Sequence, residues 1–208
     1  MRPAAERNAG HRQALAAKVL AAGVKHGKTL EAIATVPRHA FMDARMHPQA
    51  YEDTALPIGH SQTISKPSVV ARMIELLHKP KQKLGKVLEI GTGCGYQAAV
   101  LSLLSDEVYS IERIRPLHDM ARERLRPFRI KNLRLIYGDG ILGLPQAAPF
   151  DGIILAAAGL GIPDALLDQL AIGGRLVAPV AKNEKEQQLI MVERMSSQRY
   201  QRTVLDEV

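Results

Sequence analysis

Three segments in immediate succession constrain this chain most. The apolar run Val87-Leu88-Glu89-Ile90 is followed by the loop Gly91-Thr92-Gly93-Cys94-Gly95 and then by a second apolar run from Tyr96 to Leu104. A strand, a glycine loop and a buried helix in that order are how an α/β sheet cradles a nucleotide. The glycines let the backbone turn tightly and approach a ligand, and the helix N-terminus offers unbonded N–H groups. The spacing selects among nucleotides. A dinucleotide fingerprint, G-x-G-x-x-G/A, would put its last small residue where Tyr96 stands, and a tyrosine blocks close contact between helix and pyrophosphate. The loop reads G-x-G-x-G, which suits a cofactor without pyrophosphate, such as S-adenosylmethionine, and disfavours a nicotinamide enzyme.

The segments beyond this loop alternate. Strands are predicted over 86–90, 107–111, 133–137, 150–156, 175–180 and 187–193, and helices over 96–105, 117–125 and 164–170. The run 150–156 is nearly all apolar, as a central parallel strand buried on both faces should be. Pro163 is placed to open a helix at its first position and Gly173-Gly174 to end it. This alternation predicts an α/β fold with a doubly wound, mostly parallel sheet. The N-terminal third differs. Short helices are predicted over 13–22, stopped by Gly23, and over 30–36, before Pro37. Residues 42–66 carry Pro48, Pro57 and Gly59 and show no period. An unstructured stretch that long in a compact chain is usually functional, and a lid is expected there. A helix over 67–77 follows, with Ser65 or Lys66 near its N-cap. The 208 residues suit one domain, with 1–80 as a helical and loop cap and 81–208 as the cofactor-binding sheet.

Composition narrows the function classes. One cysteine permits no internal disulfide, which fits a reducing cytoplasm. The first 25 residues carry Arg2, Glu6, Arg7, Arg12 and Lys18 without an apolar core, so no signal peptide is expected. No apolar run approaches the ~18 residues of a membrane span. The net charge of +7 would suit a nucleic-acid or acidic partner. The basic residues are scattered, however. The densest group, Arg115, Arg122, Arg124, Arg126 and Arg129, is interleaved with Asp119 and Glu123 and reads as a solvated helix face. Aromatics at 4% and no tryptophan are poor material for stacking bases, so no nucleic-acid partner is expected. A monomer is expected.

Candidate site residues follow from strand ends. Glu112 ends the second sheet strand, 21 residues beyond Gly91, where an acid accepts hydrogen bonds from the two ribose hydroxyls; the bland alternative is a cap on the next helix. Asp139, between Gly138 and Gly140 after the third strand, is placed to accept from an adenine amino group, with a simple Asx turn as the alternative. Glu89 sits inside the first strand and needs a partner: the amino group of the cofactor's methionine part, or a structural bond to the loop. Cys94 lacks a neighbouring base and reads as a packing residue. The seven histidines show no ligand spacing, and no metal site is expected. Thr63, Ser65 and the start of the 67–77 helix offer hydroxyls and N–H groups for a carboxylate, with an ordinary N-cap as the alternative.

Several motifs together carry a resemblance. Val36-Pro37-Arg38-His39, Leu56-Pro57-Ile58-Gly59, Gln62-Thr63-Ile64-Ser65, Val87 to Gly93, Gly95-Tyr96-Gln97-Ala98-Ala99, Gly138-Asp139-Gly140 and Gly173-Gly174-Arg175-Leu176-Val177, spread over nearly the whole chain, resemble the bacterial protein-L-isoaspartate O-methyltransferases. The Gln-Thr-Ile-Ser segment is specific to that family; the glycine loop is shared by many methyltransferases. The resemblance implies the class I S-adenosylmethionine-dependent methyltransferase fold. It implies methylation of the α-carboxylate of isoaspartyl residues in damaged proteins, with the ester then closing to a succinimide. Ser65 aligns with the family's active-site serine. The cofactor is placed against Ile64, Glu89, Gly91, Thr92, Gly93, Glu112, Asp139 and Gly140, and the substrate against Thr63, Ser65 and Ala157.

Three departures stand out. Cys94 replaces the family's usual serine, and Ala156-Ala157-Ala158-Gly159 replaces its usual Thr-Ala-Ala-(Ala)-Pro. The sequence ends at Leu205-Asp206-Glu207-Val208 where the family continues through a further apolar strand, so a missing or altered C-terminal sheet edge and part of the lid are expected. A carboxylate, with a pKa of roughly 3–4, is already ionised and needs no general base, which matches the lack of an obvious His/Asp pair. Ser65 is therefore read as positioning the acceptor. Two rivals remain: an RNA or DNA methyltransferase, for which no Asn-Pro-Pro-aromatic, Asp-Pro-Pro-aromatic or Pro-Cys segment is present, and a cofactor-binding protein with impaired catalysis.

Overall fold

A computed structural model describes residues 4–80, 82–156, 161–183 and 186–207. Helix α1 (Ala4–Ala21) ends where Gly23 turns left-handed, at φ +106°, and α2 (Gly27–Thr35) packs against it. Two 3-10 turns, Arg38–Phe41 and Ala44–Gln49, lead into a two-stranded antiparallel hairpin, β1 (Leu56–Gly59) and β2 (Gln62–Ile64). The stretch predicted as an aperiodic loop is thus mostly structured. Strands of three and four residues are too short to print a period. The turn places His60 and Ser61 in the left-handed region, at φ 52° and 55°. Helix α3 (Pro67–Leu77) follows.

The remaining elements are β3 (Leu84–Ile90), α4 (Tyr96–Ser102), β4 (Ser105–Glu112), α5 (Arg115–Leu125), β5 (Leu133–Tyr137), β6 (Phe150–Leu155), α6 (Asp164–Asp168), β7 (Leu170–Ala181), β8 (Gln187–Arg194) and β9 (Tyr200–Glu207). Among the described residues the main sheet has seven strands in the order β5-β4-β3-β6-β7-β8-β9. The first five neighbours pair in parallel, and β8 and β9 are antiparallel. From β3 the chain moves outward through β4 and β5, then returns to β6 on the other side of β3. The C-terminal ends of β3, β4 and β6 therefore border the place where the winding direction reverses, which is where such sheets bind ligands.

Two expectations are corrected. The helix predicted over 164–170 is only five residues long, with Pro163 at its N-cap, and the glycine pair lies inside β7 rather than before it. Fully buried Leu170 pairs with Phe150 and starts the strand early. Gly174 fits there because a Cβ would lie 2.9 Å from the carbonyl oxygens of both Ala171 and Phe150. The second correction is β9. No strand is predicted beyond 193, yet 200–207 completes the sheet's edge on β8.

Side-chain alternation along the strands feeds two cores. Val87, Ile154, Val177 and Leu189 pack with Leu15, Ile33, Ile74 and Val100 of the helical layer. Their neighbours Leu88, Ile153, Leu176 and Ile190 pack on the opposite face with Phe150 and Leu166. All seven residues of α4 are buried. No helix among the described residues is long and apolar enough to cross a membrane.

Candidate active site

The glycine loop turns as its composition requires. Gly91, Gly93 and Gly95 have φ of +96°, +54° and +91°, a region closed to most side chains. The N–H groups of Gly91 and Thr92 donate to the Ile111 carbonyl at 2.8 and 3.2 Å, tying the loop to β4. Gly95 is the N-cap of α4, and a Cβ there would stand 2.8 Å from Leu125 Cδ1 of α5.

Glu112, 5% exposed, is held by the backbone on both oxygens. Gly93 N–H donates to Oε2 and Ile114 N–H to Oε1, each at 2.9 Å. Each carboxylate oxygen accepts twice, so capacity for two hydroxyls remains. The local anchoring role and the ribose role are compatible.

Glu89 is fully buried. Its protein partners are not in the loop but beside it: Gln97 Nε2 donates to Oε1 at 3.0 Å, and the Ser110 hydroxyl pairs with Oε2. Ser110 Oγ lies 2.6 Å from Thr92 Oγ1, so the chain Glu89–Ser110–Thr92 reaches the loop. Burial pushes the Glu89 carboxyl up to about 8; bonds from Ser110 and Gln97 oppose this, and the charge of Glu112 adds to it. The group is mostly neutral at pH 7. Ser110 was not singled out from sequence, yet it lies directly opposite Glu89 in the β3–β4 register. Strand pairing would have found it.

Asp139 forms the Asx turn, with Oδ1 accepting from Ile141 N–H at 3.0 Å, and at the same time borders the cavity. Gly140 beside it has no room for a side chain, because a Cβ would fall 2.6 Å from Ile90 Cγ2. Cys94 is 3% exposed, and burial raises its thiol to about 11, so it packs and does not attack.

These groups surround one cavity of about 420 Å³, within the range of small-ligand pockets. Thr63, Ile64, Ser65, Glu89, Gly91, Thr92, Gly93, Glu112, Asp139 and Gly140 all border it. Ala157 lies outside the described residues. Tyr96, which blocks the dinucleotide spacing, also borders the cavity, as do Gln97 and the apolar Leu117, Leu155 and Leu166, not singled out from sequence.

The N-cap of α3 is one of the two expected residues, but the free N–H groups expected at its start are taken. Lys66 is its N-cap, and Pro67 contributes no N–H. The Ser68 N–H donates to Asp53 Oδ1 at 2.8 Å, and those of Val69 and Val70 go to the Lys66 carbonyl. The helix start is therefore occupied, because Asp53, fifteen residues earlier, supplies the cap. Ser65 is freed from that duty. It lies partly exposed at the cavity, and among the described residues its hydroxyl has no hydrogen-bond partner.

A sequence profile of the family described as protein-L-isoaspartate(D-aspartate) O-methyltransferase (PCMT) matches residues 10–208. The chain belongs to this family. A protein-L-isoaspartate O-methyltransferase from Ralstonia nicotianae is 61% identical over 212 residues, covering 95% of this chain and 66% of the relative. One from Cupriavidus pinatubonensis is 61% identical over 208 residues, covering 95% and 70%. The chain thus spans about two thirds of the length of the curated relatives it matches. A solved protein-L-isoaspartate O-methyltransferase superposes with a TM-score of 0.84 at 26% identity, covering 95% of this chain and 64% of the other. A Plasmodium falciparum structure described as a β-aspartate methyltransferase superposes at 0.78 with 21% identity, covering 95% of each chain; it holds S-adenosyl-L-homocysteine. The α/β sheet is that of the S-adenosylmethionine-dependent methyltransferases to which this isoaspartate methyltransferase family belongs.

Proposed function

We propose that this chain methylates the α-carboxylate of L-isoaspartyl residues in damaged proteins, with S-adenosylmethionine held in the cavity beyond β3. The residues fit that cofactor. Three left-handed glycines leave the loop open to a close-lying ligand, and Glu112 keeps acceptor sites for a ribose. Both Asp139 and Glu89 border the cavity, and we assign Asp139 to an adenine amino group and Glu89 to the amine of the methionine part. Ile64, Gly91, Thr92, Gly93 and Gly140 supply the walls. When bound, the cofactor carries a methyl group on a cationic sulfur. The protein's task is to orient the acceptor and keep water out.

One observation carries the choice of acceptor. Among the described residues bordering the cavity there is no histidine or lysine, and Glu89 and Cys94 are held protonated near neutrality. The other two acids at the cavity, Glu112 and Asp139, are assigned to the ribose and the adenine, so an amine or hydroxyl that must first lose a proton would find no free base among the described residues. A carboxylate arrives ionised. The unpartnered Ser65 hydroxyl can donate to it, with Thr63 beside it on β2. Ala157 is assigned to the same substrate side. We take residues 1–80 as cap and 81–208 as cofactor sheet of one unit, acting as a cytoplasmic monomer on protein rather than nucleic acid. Offering radiolabelled cofactor to an isoaspartyl peptide, its aspartyl twin and total RNA tests this. Label is expected on the isoaspartyl peptide alone. Label on RNA, or on neither peptide, refutes the assignment.

A further inference from the structure

Arg38 is fully buried, yet it faces no carboxylate partner within ion-pair distance among the described residues. Its guanidinium instead donates to four backbone carbonyls. Nη1 reaches Ala50 at 2.9 Å and Glu52 at 3.4 Å; Nη2 reaches Thr54 at 2.8 Å and Ser65 at 3.2 Å. Nε has no hydrogen-bond partner among the described residues. A buried cation satisfied only by carbonyls is an expensive device. What it achieves is geometric: one rigid fork gathers both ends of the segment that carries the β1–β2 hairpin. The second end is Ser65 itself. On its other side Arg38 lies against the ring of Tyr96, 5.9 Å from the centroid, and Tyr96 directly follows the glycine loop and borders the cavity. The neighbouring turn is fixed as well, since Arg124 Nη1 of α5 donates to the Phe41 carbonyl at 2.6 Å.

We propose that Arg38 is a positioning residue for methyl transfer: by holding the Ser65 carbonyl and the base of the hairpin, it sets the direction of the Ser65 hydroxyl and the hairpin wall against the substrate carboxylate. This rests on the isoaspartyl reading above. A lysine conserves charge but is a single point donor; it cannot bridge Nη1's and Nη2's acceptors together. Catalytic geometry tolerates little displacement, and a misplacement of about 1 Å costs on the order of a hundredfold.

The test uses the full chain with Arg38→Lys and Arg38→Met. Both are expected to lose ten- to a hundredfold in kcat/KM for an isoaspartyl peptide, while calorimetry shows S-adenosylhomocysteine binding within about twofold of wild type. A purely structural role predicts a different split: Arg38→Lys rescued towards wild type, or peptide and cofactor affinities falling together. Either result overturns the proposal. A second variant guards against misfolding. Replacing Lys66 by its α-hydroxy acid turns the Ser65 carbonyl into a weaker ester acceptor without touching any other side chain, and a several-fold loss in kcat/KM is expected. An unchanged value refutes the link. Amide hydrogen exchange supplies a readout apart from activity. Residues 56–65 should exchange at least tenfold faster in Arg38→Lys, with α4 unchanged. Unaltered exchange overturns the staple even if the wild type proves inactive on the peptide, an outcome that would count separately against the isoaspartyl reading.

Discussion

Replacing Glu89 by glutamine should stabilise the ligand-free protein, increasingly so as pH rises. The amide has the same shape and can keep both Gln97 and Ser110 as partners, but it does not titrate. In wild type the carboxyl ionises near 4.5 when unfolded and at about 8 when folded. Below pH 4.5 it is neutral in both states, and burial carries no electrostatic penalty. Above that the unfolded chain ionises first, so folded stability falls steadily until about pH 8 and then levels off. The span amounts to roughly 5 kcal/mol, with about 3 kcal/mol already lost at pH 7. Urea unfolding of both proteins at pH 5, 7 and 9 isolates this group and its coupling to Glu112, because titrations that do not touch Glu89 cancel in the difference. The gap should widen by several kcal/mol from pH 5 to 9. A gap that stays constant within about 0.5 kcal/mol would mean that Glu89 is ionised in the folded protein and that the burial argument is wrong. The same variant should bind S-adenosylhomocysteine more weakly, since the amide, unlike the carboxyl, cannot give up a proton to meet the ligand's ammonium.

Three further outcomes follow from the site. Glu112→Ala should weaken S-adenosylhomocysteine binding by about 1–3 kcal/mol through lost charge-assisted hydrogen bonds, and unchanged calorimetric affinity would contradict the ribose role. Ser65→Ala should lower turnover on an isoaspartyl peptide by about ten- to a hundredfold while leaving cofactor affinity intact; full turnover refutes the assignment. Gly95→Ala meets both a φ of +91° and a Leu125 contact at 2.8 Å, so a loss of about 1–3 kcal/mol in urea unfolding is expected, and a loss under 0.5 kcal/mol would show that the turn relaxes freely.

Much of the crevice was legible because its parts are local. The loop after β3, Glu112 at the end of β4 and Asp139 after β5 occupy places dictated by strand ends, and the structure gathers them around one cavity. What sequence could not show depends on distant partners. Asp53 caps α3 from fifteen residues away, and no pattern near Pro67 announces it. The raised carboxyl of Glu89 comes from complete burial, set against an opposing bond from Ser110 across the register, and both depend on how the strands pair. Leu170 reads as the end of a helix until Phe150 is seen beside it. The β1–β2 hairpin contains Pro57 and Gly59 within its strand, which hides the alternation that longer strands display.

The helical layer over the sheet also anchors the segment that carries the β1–β2 hairpin. Leu15, Ile33 and Phe41 share a core with Val87 and Val100, and Arg38 reaches from the turn beside Phe41 to the segment bearing Ser65. On the proposed reading, the substrate side of the cavity is not a detachable loop. Grafting 50–65 onto another methyltransferase sheet would carry over a shape without its scaffold, and a designer wishing to retarget this enzyme would have to transplant the three N-terminal helices with it.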